Sequence, residues 1–284
     1  MKIASVQYGG RQRLGLVSPD IGTCGLLGEE HDDMRMLIAS GFPIPDVDTT
    51  VPLSDVRILA PIPQPRRNIM CVGKNYREHA KEFSRSGYEA GAVVGKEVDD
   101  FPAYFSKLPT TVIGPEEGID LHPSITRSVD YEAELAVIIG PGGRGIRRED
   151  AYSHVWGYTI VNDVTARDLQ RNHKQWFLGK SLDTFCPMGP WIVTADEVDP
   201  EAMQVTCHVN GELRQSASTA DLIFDIPSLI CTLSAGITLM PGDIIATGTP
   251  AGVGIGMQPP RFLSSGDSIS ISISGIGTLT NRCS

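Results

Sequence analysis

An α+β fold dominated by short strands is what this sequence predicts, and three observations predict it. Strand-like segments outnumber helical ones and do not alternate with them in a β-α-β rhythm, which argues against a doubly wound parallel sheet. Thirty Gly and twenty Pro in 284 residues supply many turns, and so many short strands. An Asn-Gly pair at 210–211 lies between two alternating segments, the signature of a two-residue hairpin.

The elements follow in chain order. KIASVQY and RLGLVS read as strands joined by a Gly turn, and DDMRMLIASG as a short helix ending at Gly. A Pro-rich stretch from FPIP to PIPQP reads as a linker, with VRIL as one more strand. A small N-terminal domain is therefore placed at 1–60 and the main domain at 61–284. RNIMCVGKNY opens the main domain as a strand. REHAKEFSRSG is helical, SGYEAGAVVGKEVDD loop-like, and PAYFSK and TTVIGP are strand pieces. DYEAELAVIIG and VWGYTIVNDVT are the clearest strands, and ARDLQRNHKQW a polar helical turn. PMGPWIVTADE and the 210–211 hairpin are strands, and ADLIFDIPSLICTLSAG is an amphipathic helix. DIIATG, DSISISIS and GIGTLTN close the chain as strands.

Composition narrows the class. Apolar residues at 41% and charged residues at 20% suit a soluble globular chain. The net charge of -10 and the lack of a basic stripe argue against a nucleic-acid partner. Six cysteines without a C-x-x-C spacing read as reduced thiols and exclude a zinc ribbon. Cys71 and Cys186 fit best as small buried hydrophobes. No segment approaches the roughly 18–20 apolar residues of a membrane span. MKIASVQYGGRQRLG turns polar too soon for a secretory signal. A cytoplasmic location with no membrane partner is the expectation.

The chemistry begins at DYEAELAVIIG. In a strand, residues i and i+2 share a face, so Glu132 and Glu134 point the same way. Two like charges side by side raise each other's pKa, and burial adds to it. A divalent cation removes both penalties, and oxygen-only donors suit a hard ion such as Mg²⁺, Mn²⁺ or Ca²⁺. Asp163, where the apolar strand TIVND ends, is the natural third ligand. The same spacing also suits the exposed face of an antiparallel strand. His79 and Glu82 are neighbours on one helix face; a carboxylate beside an imidazole makes a general base, and a surface helix also carries such pairs. Lys180, in GKSLDTFCPMGP, is either a desolvated lysine or a solvated turn residue. The Gly- and Thr-rich PGDIIATGTPAGVG has amides able to hold a carboxylate, or is a tight connection between strands. It lacks the GK[ST] of a P-loop, and no G-x-S-x-G occurs.

Taken in order, RNIMCVGKNYREHAKE, DYEAELAVIIG, GYTIVNDVTARD, GKSLDTFCPMGP and PGDIIATGTPAGVG resemble the fumarylacetoacetate hydrolase family over residues 60–284. The resemblance implies a mixed β-roll with few helices, a small N-terminal β-rich region and a homodimer. It implies metal ligation by Glu132, Glu134 and Asp163. It implies a His79–Glu82 dyad on a lid at about 76–104, an active-site Lys180, and a loop at 247–250 holding a substrate carboxylate. Thr249 is the foremost contact there, joined by Gly248, Tyr76 and Lys107. Residues 83–104 run longer than the compact family pattern, and Lys74 stands where relatives carry an apolar residue or Arg. Arg85 or Tyr88 of that insertion is in a position to reach the substrate.

The activity this implies is metal-dependent hydrolysis of a C–C bond in a 2,4-dioxo acid of the acylpyruvate or fumarylpyruvate type. Two alternatives use the same site: decarboxylation of oxaloacetate, or isomerisation of a 2-oxo diacid. A binding protein without activity is the remaining reading. Each takes a small 2-oxo acid as ligand.

Overall fold

A computed structural model of the protein describes residues 1–87 and 100–284; Tyr88 lies outside them. The architecture is the expected α+β fold, mostly strands with few short helices.

The strand Ala133–Ile139 lies within the larger sheet and is buried at every position. It pairs antiparallel with Val155–Asn162 on one side and with Ile244–Ala246 on the other. Leu135, Val137 and Ile139 pack into one core, while Ala136 and Ile138 pack into the second. A strand covered on both faces needs a continuous apolar run, which is why LAVII shows no alternation. Beyond these neighbours the sheet continues through Ile69–Gly73 to Ala103–Lys107 at one end. At the other it runs through Cys186–Thr194 to Lys2–Tyr8, Arg11–Ser18, Thr23–Leu27 and Val47–Pro52.

Two of those N-terminal strands differ from the sequence reading. Thr23–Leu27 has Gly25 in its middle, which hides the pattern. The glycine is there for space: a Cβ on Gly25 would lie 2.9 Å from Val47 Cγ2. Val47–Pro52 falls in the stretch read as a linker. It is an edge strand with only Val51 buried, so it carries almost no apolar signal.

A second sheet holds the hairpin Gln204–Val209 and Glu212–Ser218, then Ser268–Ile273, Gly277–Cys283 and Gly118–Ile119. The hairpin turns where expected, with Asn210 at φ 52 and Gly211 at φ 79, the left-handed pair such a turn requires. The expected helix over ADLIFDIPSLICTLSAG is shorter. It runs over Ile226–Ser234, because Asp225 accepts the Ser228 N–H at 3.0 Å as its cap and Pro227 occupies the first turn. The residues before it pair instead with Asn75 and Tyr76 at the start of the helix Arg77–Arg85. All six cysteines are free. No described helix is long and apolar enough to cross a membrane.

Candidate active site

The pairing of Ala133–Ile139 with Val155–Asn162 brings three carboxylates together. Ala133 lies opposite Asn162. The Glu132 N–H donates to Asn162 Oδ1 at 3.0 Å, and the Asp163 N–H donates to the Glu132 carbonyl at 2.9 Å. Two strand ends are thereby stitched side by side. Glu132, Glu134 and Asp163 then offer oxygens that all lie within 4.8 Å of one another, each from a buried side chain.

Such a cluster needs positive charge. Lys180 Nζ donates to Glu132 at 2.8 Å and to Asp163 at 2.7 Å. Lys107 Nζ donates to the other Asp163 oxygen at 2.6 Å and to the Val164 carbonyl at 3.0 Å. Arg167 Nη1 lies 2.6 Å from Glu132. Burial alone would push Glu132 up, but Lys180 and Arg167 outweigh it and hold the carboxyl down at about 2. Glu134 goes the other way. Burial, then Asp163 and Glu132, push it well above the usual carboxylate range, against Lys180 and a hydrogen bond from the Gly248 N–H at 2.8 Å. Burial lowers Lys180, yet Asp163 and Glu132 more than restore it, so it stays charged.

The donor set fits a hard divalent cation. It is all oxygen, it converges, and one member bears a like-charge penalty that such an ion removes. The exposed-face alternative for Glu132 and Glu134 is excluded by their burial, at 4% and 1% exposure.

His79 sits on the helix Arg77–Arg85, buried, with Nδ1 at 3.2 Å from Glu82. Glu82 is held from behind by the Gly252 N–H at 3.0 and 3.2 Å. His79, Glu132, Glu134, Lys180 and Thr249 line one pocket with Lys74, Arg167, Gln170 and Trp176. It encloses about 10 Å³, room for about one water. The wider cleft of about 550 Å³ at Arg148, Tyr152 and Asp225 contains neither the triad nor the dyad.

Of the four residues expected to touch substrate, Thr249 lines this pocket. The other three sit behind it. The Gly248 amide is spent on Glu134, and Lys107 braces Asp163. Tyr76 is buried near Glu134 and bridges Leu222 through the backbone. Arg85 closes the last turn of its helix, exposed. Cys71 and Cys186 are buried, and burial pushes both thiols up, that of Cys186 to about 12.

Sequence reasoning missed Arg167, Gln170 and Trp176. Arg167 and Gln170 fall in a segment read as a polar helical turn, yet both are buried. Arg167 Nε donates to Asp130 at 2.9 Å and Nη1 to Gln170 at 3.2 Å, while Nη2 is buried with no hydrogen-bond partner. Trp176 closes the pocket against Phe83 and Phe105, with ring centroids at 5.9 and 5.3 Å. The spacing of Arg167 and Gln170, one helical turn apart, is the signal that marks them as one face.

Comparison with known proteins agrees with this geometry. The family model described as fumarylacetoacetate (FAA) hydrolase, C-terminal, matches residues 68–284. The oxaloacetate tautomerase YisK of Bacillus subtilis is 56% identical over 231 residues, 81% of this chain and 74% of that protein. Among solved structures, a fumarylacetoacetate hydrolase from Exiguobacterium antarcticum is 46% identical with a TM-score of 0.87, covering 100% of this chain and 99% of the other. A 5-carboxymethyl-2-hydroxymuconate delta-isomerase from Mycobacterium smegmatis is 36% identical with a TM-score of 0.81, covering 100% and 99%. The motifs, the strand pairing that gathers them and these matches agree: the chain is an enzyme of the fumarylacetoacetate hydrolase family.

Proposed function

We propose that the protein interconverts the keto and enol forms of oxaloacetate or a near 2-oxo diacid, with a divalent cation held by Glu132, Glu134 and Asp163. One observation carries this reading: the buried His79, held by Glu82, shares a pocket with Glu132 and Glu134 of the acid triad and with Arg167, whose Nη2 is buried and unpaired. The similarity to a tautomerase of that substrate supports it. Mg²⁺, with Mn²⁺ or Ca²⁺ as substitutes, would supply electrostatic stabilisation of charge developing at the 2-keto oxygen.

The residues divide the remaining work. Glu82 accepts from His79 Nδ1, which leaves Nε2 as the basic atom. His79 Nε2 takes a proton from C3 of the keto form and returns one in the reverse direction. Lys180 Nζ is the acid on the oxygen side, and it keeps Glu132 and Asp163 in place. Thr249 Oγ1 accepts from Gln215 Nε2 at 2.8 Å, so its own O–H is free to donate to a substrate carboxylate. Arg167 Nη2 takes a second anionic oxygen. Phe83, Phe105 and Trp176 exclude water.

A second reading, hydrolysis of a 2,4-dioxo acid, is favoured by the likeness to the Exiguobacterium hydrolase. The same dyad would then activate a water at the 4-keto carbon. A homodimer is part of either reading, and light scattering tests it. A panel of oxaloacetate, acylpyruvate and fumarylpyruvate with Mg²⁺ or Mn²⁺ separates the two. Faster decay of the oxaloacetate enol absorbance without release of CO₂ supports the tautomerase. Loss of diketone absorbance with pyruvate release supports the hydrolase. Turnover that survives thorough chelation sinks both.

A further inference from the structure

One glycine-rich loop, residues 247–256, holds three carboxylates from three parts of the site. The Gly248 N–H donates to Glu134, and the Gly252 N–H to Glu82. The Gly254 and Ile255 N–H groups donate to Asp130 at 2.7 and 3.1 Å. The loop is closely packed along its second half. A Cβ on Gly254 would lie 2.2 Å from the Arg261 carbonyl oxygen, and one on Gly256 would lie 1.8 Å from Glu82 Oε1.

Asp130 differs from the other two carboxylates. It is fully buried and is neither a pocket residue nor one of the three ligand candidates. Besides the loop amides it accepts the Tyr131 N–H at 3.0 Å and Arg167 Nε at 2.9 Å. A buried carboxylate with four donors is a rigid junction, because each lost bond leaves an unpaired polar group. What it fixes is the guanidinium plane. With Nε on Asp130 and Nη1 on Glu132 and Gln170, Nη2 is the one nitrogen left over, buried in a residue that lines the pocket.

We infer that Asp130 is a positioning residue. Through Arg167 it aims the N–H that takes an anionic oxygen of the ligand. Through Gly254 and Ile255 it keeps the loop that grips Glu82 in register with that arm. The inference rests on the 2-oxo acid reading for its choice of ligand.

The test uses the full chain loaded with Mg²⁺ and titrated calorimetrically with oxalate, a 2-oxo acid mimic that needs no turnover. Asp130→Asn keeps the shape but turns an N–H donor against Arg167 or the loop. Oxalate affinity should fall about tenfold or more, as for a charge-assisted bond lost from a buried site. Mg²⁺ affinity should stay within about twofold, which a general loosening of the fold would not allow. In the Arg167→Gln background, Asp130→Asn should cost little more, since both changes remove the same interaction. Oxalate bound as tightly by Asp130→Asn as by the unchanged protein overturns the inference, as do losses that multiply in the double variant or an Arg167→Gln variant without effect. If Asp130→Asn alone does not fold, the double variant, which buries neither charge, is compared with Arg167→Gln and decides. Failure of the unchanged protein to act on oxaloacetate would sink the tautomerase reading and leave these oxalate comparisons intact.

Discussion

Glu132 and Glu134 share a strand face, yet their surroundings drive them apart. Lys180 and Arg167 crowd Glu132, whereas Glu134 meets mainly burial and two like charges. Glu134→Gln should therefore raise the melting temperature of the chelated protein while abolishing Mg²⁺ binding, read by thermal denaturation and calorimetry. An unchanged Mg²⁺ affinity would remove Glu134 from the ligand set. His79→Ala tests the other half of the site. Turnover should fall by about 10²–10⁴, the usual worth of a positioned general base, with Mg²⁺ affinity unaltered. A loss below tenfold would assign the proton transfer elsewhere. The ligand candidates were legible because a spacing of two on a strand has one meaning for side-chain direction. Arg167 was not legible, because its spacing to Gln170 marks a shared helix face but not whether that face is buried or solvated.

At the scale of single elements, one feature shapes the pocket and another fixes a helix end outside it. Gly73 ends the strand Ile69–Gly73, and a Cβ there would lie 2.2 Å from the Trp176 ring. Gly73→Ala should push the indole off its seat and lower kcat/KM by about tenfold, as small misplacements near a reacting group do. Normal kinetics with an unshifted tryptophan emission would refute this. Asp225 caps the helix Ile226–Ser234. The Arg148 hydrogen bond, first, and those from Ser228 hold its carboxyl at about 2, against burial. Its folded value is depressed, so its contribution is complete above the unfolded value near 4 and is lost as the pH falls toward 2. Asp225→Ala should cost about 1 kcal/mol at pH 6, little of it from the exposed ion pair. The gap in melting temperature between variant and parent should narrow from pH 4 downward. A gap that widens with acid would contradict the capping account. The helix that stops at Gly41 and the Asn-Gly hairpin could be read ahead because their signals lie within a few residues, whereas the helix capped by Asp225 starts later than its sequence pattern suggests. The strands Thr23–Leu27 and Val47–Pro52 could not, since one is interrupted by a packing glycine and the other has a nearly bare exposed face.

Across the whole molecule, the first sixty residues extend the main sheet. Lys2–Tyr8 pairs with Cys186–Thr194, and Ile3, Leu14 and Leu27 share a core with Ala136, Ile138 and Val161. A chain starting at residue 61 would bare the edge of Cys186–Thr194, an invitation to pair with other chains. Such a chain should elute as aggregate in size-exclusion chromatography and lose its cooperative thermal transition. A well-folded monomer or dimer would show instead that residues 61–284 stand alone as a domain.

The sequence by itself determined the strand-rich class, the hairpin at Asn210–Gly211, the convergence of Glu132 and Glu134 and the nearness of His79 to Glu82. Each depends on a backbone period or a turn chemistry acting over a few positions. The tertiary structure alone decided how near Asp163, the expected third ligand, comes to the pair, that Lys180 and Lys107 pay for the buried charge, and that the loop amides serve protein carboxylates. It also decided that Arg167 faces inward with one nitrogen, Nη2, unmet. Those outcomes depend on which strands become neighbours across tens to hundreds of residues, and on the desolvation that neighbourhood imposes. No local pattern encodes either.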